Sequence, residues 1–338
     1  MDNLRRFLVV FCIMLVLAAA VCGVRLVISY DKSNKSLVND LEISVPTYDP
    51  SGQTVQSSFQ NNILFICYEP DQTETQLMFI VNIDSASKSI NFLMLPKEMK
   101  FNIASGSIVG NFDSLYNSFS SSKGASSASA MASFFDIDVN YYFCISVEEM
   151  GKLLGSFCSE DGGIVFDVPV DVYYRDYEKN ININYVRGTN VFNGPGAVNY
   201  LRFYKTYDGV YSKSLLDYYD GTDSKRMNIV ARFIESFINQ KFFEPSTDFY
   251  LRRFNDLVTP FLSKADTNVN EEVLGVIAQI LSSSNTQRLG YFIPIGDTSY
   301  NDQLYLEYKG YIRNLELDEN IAPSIASDIL TSRFKTVY

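Results

Sequence analysis

Histidine is absent from this sequence, and so is tryptophan. Without His there is no Ser-His-Asp or Cys-His catalysis, no His-bearing zinc site and no His general base. Positive charge is also short: 28 Lys and Arg stand against 39 Asp and Glu, for a net charge of −11. An acidic surface repels nucleic-acid phosphates, so DNA and RNA are poor partners, although a local basic pocket is still allowed. Cysteine is scarce at five residues, and no Cys-x-x-Cys occurs. Cys67 and Cys144 sit in apolar runs and read as buried small hydrophobes, with one disulfide left open. Against these absences stand a hydrophobic content of 46%, with 25 Phe and 23 Tyr, in 338 residues. That is enough apolar material for a sizeable core, in one large domain or two ordinary ones.

The N-terminus places Arg5 and Arg6 before an uncharged apolar run from Phe7 to Val24. This is near the lower limit for crossing a hydrocarbon layer of about 30 Å, and Arg25 can snorkel to extend it. The leading arginines favour a cytoplasmic N-terminus and an external body. A signal peptide cleaved near Ala18-Ala19-Ala20 is one reading; the apolar stretch continues beyond that site, which favours an uncleaved anchor. The expected organisation is a cytoplasmic N-terminus (1–6), a transmembrane signal anchor (7–28), an extracytoplasmic linker (29–60), a main domain (61–310) and a C-terminal helical extension (311–338). The protein is accordingly expected at the cell membrane as a single-pass protein.

Within the main domain, apolar runs over 63–68, 76–83 and 89–95 read as strands, and Asp84-Ser85-Ala86-Ser87 as the turn of a hairpin. The Ser-, Ala- and Gly-rich stretch 118–133 reads as a loop leading into a helix. Residues 141–146 suggest a further strand, and Ser146-x-x-Glu149 a capping box opening a helix. A strand is expected over 164–168, and a helix capped by Asn193 with Pro195 in its first turn. Asp223 starts the clearest amphipathic helix, with Ile229, Val230, Phe233, Ile234, Phe237 and Ile238 on one face. Asn270 opens another, and short strands near 290–294 and 303–308 precede a helix near 323–333. Strands interleaved with helices predict an α/β body: a three-layer α/β/α domain around a mixed sheet.

The order of motifs resembles the LytR-CpsA-Psr family of cell-envelope proteins. It runs from Asn62-Ile63-Leu64-Phe65-Ile66 through Leu95-Pro96-Lys97-Glu98 and Phe135-Asp136-Ile137-Asp138 to Gly162-Gly163-Ile164-Val165-Phe166-Asp167-Val168-Pro169. It continues through Phe192-Asn193-Gly194, Ala197-Val198-x-Tyr200-Leu201-Arg202, Asp223-x-x-Arg226 and Asp266-Thr267-Asn268-Val269. The resemblance implies an apolar groove for a polyprenyl pyrophosphate and transfer of a glycopolymer phosphate from that lipid to cell-wall glycan. It also implies arginines on the pyrophosphate, and acids that hold Mg2+ or activate the acceptor. Such phosphoryl transfer rests on positioning and charge neutralisation, so a chain without His can perform it.

The departures from the family pattern fall on the implied site. Where the family has Arg-Ser-Asp-Thr, this chain has Glu74-Thr75-Gln76-Leu77, so an arginine has become an acid and an aspartate an amide. Pro-Arg-Asp becomes Pro96-Lys97-Glu98, which keeps the charge signs but loses the bidentate fork. The second arginine after Arg202 is replaced by Tyr204, with Lys205 following, and the Arg-Gln after Arg226 falls at Ile229-Val230. The expected site is therefore Arg202 and Glu98 for catalysis, Arg202, Arg226, Lys97 and Lys205 for pyrophosphate, and Glu69 for Mg2+. Each has a plainer reading as an ion pair or a polar turn. Three hypotheses follow: a divergent phosphotransferase, a polyprenyl-phosphate-binding protein that no longer catalyses, and a scaffold using the fold for protein contacts.

Overall fold

A computed structural model describes residues 60–71, 74–103, 108–160, 162–177, 181–203, 210–211, 223–244, 248–283, 289–300 and 304–313. The expected anchor (7–28), the linker up to residue 59 and the helix near 323–333 lie outside these residues, as do Tyr204 and Lys205. Among the described residues no helix is long and apolar enough to cross a membrane.

The first strand, β1 (Gln60–Tyr68), is followed by the hairpin β2 (Thr75–Asp84) and β3 (Ser89–Met94). Both faces of these strands are buried, so they read as continuous apolar runs instead of alternating ones. The Asp84 carboxylate closes the hairpin turn by accepting from Ala86 N (2.9 Å) and Ser87 Oγ (2.6 Å). A short pair, β4 (Lys100–Ile103) and β5 (Ile108–Asn111), leads to α1 (Lys123–Phe135). Strand β6 (Tyr141–Ser146) then runs into α2 (Val147–Ser156). Ser146 Oγ accepts from Glu149 N (3.3 Å), but the Glu149 side chain turns away to Lys152 and Lys264, so only half of the capping box forms.

Next come β7 (Ile164–Val168), β8 (Val172–Asp176), β9 (Ile181–Tyr185) and β10 (Gly188–Phe192), then α3 (Gly194–Leu201) and β11 (Val210–Tyr211). Asn193 Oδ1 accepts from Gly196 N (2.8 Å), capping α3 as its sequence predicts. The amphipathic helix is α4 (Asp223–Ile238). Helices α5 (Asp248–Arg252) and α6 (Phe254–Leu262), strand β12 (Asp266–Thr267) and helix α7 (Glu271–Ser283) follow. Two long strands, β13 (Leu289–Tyr300) and β14 (Leu304–Arg313), complete the described chain.

The central sheet has seven strands in the order β12-β6-β1-β2-β3-β13-β14. It is mixed: β1/β6 and β3/β13 are parallel, and the other neighbours antiparallel. Alternate residues feed two apolar clusters on its two faces. Ile63, Cys67, Leu77, Phe79 and Phe92 join one, with side chains from α2, α3, α4, α6 and α7. Leu64, Ile66, Met78, Ile80 and Leu93 join the other, with Phe112, Leu115, Met131 and Phe135. This is the α/β body with a mixed central sheet that the sequence predicted. Cys67 and Cys144 are buried in opposite clusters, so they cannot bond to each other.

Helix α3 is delivered to the site by a close approach to α2. A Cβ at Gly194 would lie 2.1 Å from Gly151 O and 2.2 Å from Gly155 N. Only glycine permits that backbone contact, and it sets the position of Leu201 and Arg202 at the far end of α3.

Candidate functional site

Strands β1, β2 and β3 carry a group of buried charges at one shared end. Glu69 follows β1, Gln76 is the second residue of β2, and Lys97 and Glu98 follow β3. Arg202 closes α3, and Asp223 and Arg226 occupy the first turn of α4. The sequence-expected residues Glu69, Gln76, Lys97, Glu98, Arg202 and Arg226 are thus brought together from five segments of the chain.

Their contacts divide them into an inner and an outer set. Arg226 is fully buried. Its Nε and Nη2 donate to the two carboxylate oxygens of Asp223, its Nη1 to Leu201 O (2.7 Å) and its Nη2 to Gln76 O (3.1 Å). It ties α4 to β2 and to the end of α3, so its guanidinium acts in this arrangement as an internal clamp. Asp223 also accepts from Lys97 N (2.7 Å), while Asp223 N donates to Glu98 Oε1 (2.6 Å). From sequence, Asp223 is the start of α4 and a member of the Asp223-x-x-Arg226 motif but not one of the expected site residues; its spacing of three from Arg226 puts the two side chains together on one helix.

Glu98 is 1% exposed, and its Oε2 has no hydrogen-bond partner among the described residues. Burial, reinforced by the Asp223 charge, pushes its carboxyl up to about 8, against a partial pull downward from Arg226. Thr75 Oγ1 and Gln76 Nε2 are likewise buried without a partner. Three such atoms at one place are costly, and buried polar groups are ordinarily satisfied by protein, water or ligand.

The outer set is Arg202, Glu69, Lys97 and Glu74. Arg202 Nη2 donates to Glu69 Oε1 at 2.6 Å, with both side chains about nine-tenths buried, and Arg202 Nε has no partner among the described residues. Lys97 Nζ donates to Gln76 Oε1 (3.0 Å) and lies 3.7 Å from Glu74 Oε2. The acid at position 74, which by itself would repel phosphate, thus has a cation beside it.

The donor set is poorly matched to Mg2+. A magnesium site needs carboxylate oxygens free to coordinate. Here Glu69 Oε1 is held by Arg202, both Asp223 oxygens are held by Arg226 and Lys97 N, and Gln76 brings an amide. No group of three or more acidic or cysteine ligands forms among the described residues. Ile229 and Val230, at the family's Arg-Gln positions, are buried core residues of α4.

Comparison with known proteins agrees with the fold. Crystal structures include B. subtilis TagV, at 15% identity and a TM-score of 0.60, covering 82% of this chain and 98% of that one. Protein gbs0355 from Streptococcus agalactiae gives 13% identity and a TM-score of 0.58, covering 82% and 89%. TagT bound to LI-WTA gives 12% identity and a TM-score of 0.54, covering 86% and 94%. At these identities the likeness is one of fold. Curated protein sequences give no match. The LytR_cpsA_psr family model matches residues 33–287, well over half of the chain. With its motif order, its mixed sheet and its charged strand ends in agreement, the chain belongs to the LytR-CpsA-Psr family.

Proposed function

We propose that this protein is a membrane-anchored, extracytoplasmic member of its family that binds polyprenyl-pyrophosphate-linked glycopolymer at the charged end of β1, β2 and β3 and transfers the glycopolymer phosphate to cell-wall glycan. The observation that carries this reading is the convergence of Arg202, Lys97 and Glu98, with the buried Glu98 Oε2 left unpartnered. The solved complex of TagT with LI-WTA, on the same fold, supports a glycopolymer as partner.

In this reading Arg202 and Lys97 bind the pyrophosphate and neutralise its charge, and Arg226 holds Asp223 and the strand ends in place. Glu98 takes the proton of the attacking acceptor hydroxyl. A carboxyl pushed up to about 8 is well tuned for a base near neutral pH. The acceptor oxygen bonds to the phosphorus bearing the glycopolymer, the bridging P–O bond breaks, and polyprenyl phosphate leaves with the electron pair. Lys205 joins the pyrophosphate contacts as an expectation from sequence.

Transfer of labelled glycopolymer by the full-length protein tests this directly. Arg202→Ala should weaken binding of a short-chain polyprenyl pyrophosphate about ten- to a hundredfold, the worth of one lost charge-assisted contact. Unchanged affinity would remove Arg202 from the site. A second reading has its own observation: Gln76 stands where the family has an aspartate. If the lipid co-purifies and no transfer occurs, the protein is a binding member of the family. Membrane fractionation, with mass spectrometry of the N-terminus, tests the anchor.

A further inference from the structure

The cation already inside the site is a side chain. Lys97 Nζ donates to Gln76 Oε1 at 3.0 Å and faces Glu74 Oε2 at 3.7 Å, and both Lys97 and Gln76 are almost fully buried. An ammonium so close to the amide oxygen excludes a divalent ion from that oxygen by charge repulsion. The acids nearby are also spoken for. Glu69 is paired with Arg202, Asp223 with Arg226 and with Lys97 N, and Glu98 offers one unpartnered oxygen. A hard divalent ion would find no cluster of free carboxylate oxygens here among the described residues, and would meet a resident positive charge.

The substitution pattern is consistent with this geometry. An amide at position 76 keeps an oxygen to accept from Lys97 but brings no charge to attract a metal. A lysine at position 97 supplies a compact, strongly localised charge on a flexible stem, where a planar guanidinium would need two parallel acceptors. The unpartnered Thr75 Oγ1 and Gln76 Nε2 are two further buried polar atoms, each with a proton to donate, on the same strand end.

We infer that the Lys97 ammonium, seated on Gln76 and Glu74, takes the place of a divalent cation, so that this site binds its pyrophosphate ligand without metal. The inference rests on the pyrophosphate-site reading above and deepens it. When a ligand enters, the ammonium exchanges part of its contact with Gln76 for a phosphate oxygen. The amide carries no net charge, so that exchange leaves no buried carboxylate behind at position 76.

Titration calorimetry of the full-length protein in detergent micelles, with geranyl pyrophosphate as probe, tests this. Affinity should be the same within about twofold in excess EDTA and in millimolar Mg2+, after allowance for Mg2+ complexed by the probe. Lys97→Gln should lower it at least about tenfold in EDTA, and Lys97→Arg should recover part of that loss. Thermal unfolding of each variant checks that the fold survives. Affinity at least about tenfold weaker in EDTA for the unmodified protein would overturn the inference and leave the pyrophosphate site standing. Full affinity in folded Lys97→Gln would also overturn it. No binding under either condition would overturn the pyrophosphate site, and this inference with it.

Discussion

The three strands β1, β2 and β3 bury polar side chains at both of their ends, and the two ends are built to opposite standards. At one end Asn62, Asn82 and Asn91 face one another as direct cross-strand partners. Asn91 Nδ2 donates to Asn82 Oδ1 (3.3 Å), Asn82 Nδ2 to Asn62 Oδ1 (2.9 Å), and Asn62 Nδ2 to Asp138 O (2.6 Å). Each amide donates to the next, so the row is a connected ladder that pins the strand register. At the other end Gln76, Glu98 and Thr75 keep buried atoms without partners among the described residues, beside three further acids and three cations. A satisfied buried network rigidifies, whereas an unsatisfied one stores a cost that a ligand can relieve. The same strands thus carry a structural polar end and a candidate functional one.

Changes at the two ends should separate these roles. The largest effect is expected from Arg226→Met, which leaves Asp223 and its neighbour Glu98 buried without their cation. Stability should fall by about 3–5 kcal/mol, read from urea unfolding; a loss below about 1 kcal/mol would show that Arg226 is no clamp. Asn82→Ala removes the middle rung of the ladder, taking one donor from Asn62 Oδ1 and one acceptor from Asn91 Nδ2. It should cost about 1–3 kcal/mol and leave pyrophosphate binding unchanged. Weakened binding in that variant would break the division between the two ends.

The third expected effect is a pH slope. The Glu98 carboxyl is raised from 4.5 to about 8 by burial, so the folded state holds a proton that the unfolded chain releases earlier. Its contribution is fully present below about pH 4.5 and is lost as pH rises through about 8. Glu98→Gln should flatten the decline of stability across that window, a change of less than about 1.4 kcal/mol per pH unit, one proton at most. An unaltered slope would mean that Glu98 stays ionised in the fold. In the proposed reaction the transfer rate should rise toward about pH 8 as Glu98 gives up its proton.

Much of the fold was legible from local pattern. The β2–β3 hairpin, the Asn193 cap of α3 and the inward face of α4 depend on residues close in sequence, and each formed as predicted. Strands β8 and β9 were overlooked, although Val172-Tyr-Tyr-Arg-Asp and Ile181-Asn-Ile-Asn-Tyr alternate buried and exposed residues in the period of a half-covered strand. The short β12 has two residues and no period at all; its place beside β6 is held by side chains, with Thr267 Oγ1 donating to Tyr142 O (2.6 Å) and Asn268 Oδ1 accepting from Tyr142 N (2.8 Å).

The site divides the same way. That Arg202, Lys97, Glu98 and Arg226 occur at positions like those of a known family could be read from motif order, and so could the loss of charge at Glu74 and Gln76. Which arginine faces inward could not. Arg226 and Arg202 look alike in sequence, yet one spends its donors on Asp223, Leu201 O and Gln76 O while the other pairs with Glu69. Residue type, periodicity and capping act over a few positions and are written along the chain. The partners of a buried charge are chosen by desolvation, which penalises every unpaired ion and is satisfied only when distant segments meet. Asp223 N reaches Glu98 across 125 residues, and Arg226 reaches Gln76 O across 150; those meetings exist only once the sheet and α4 have packed together.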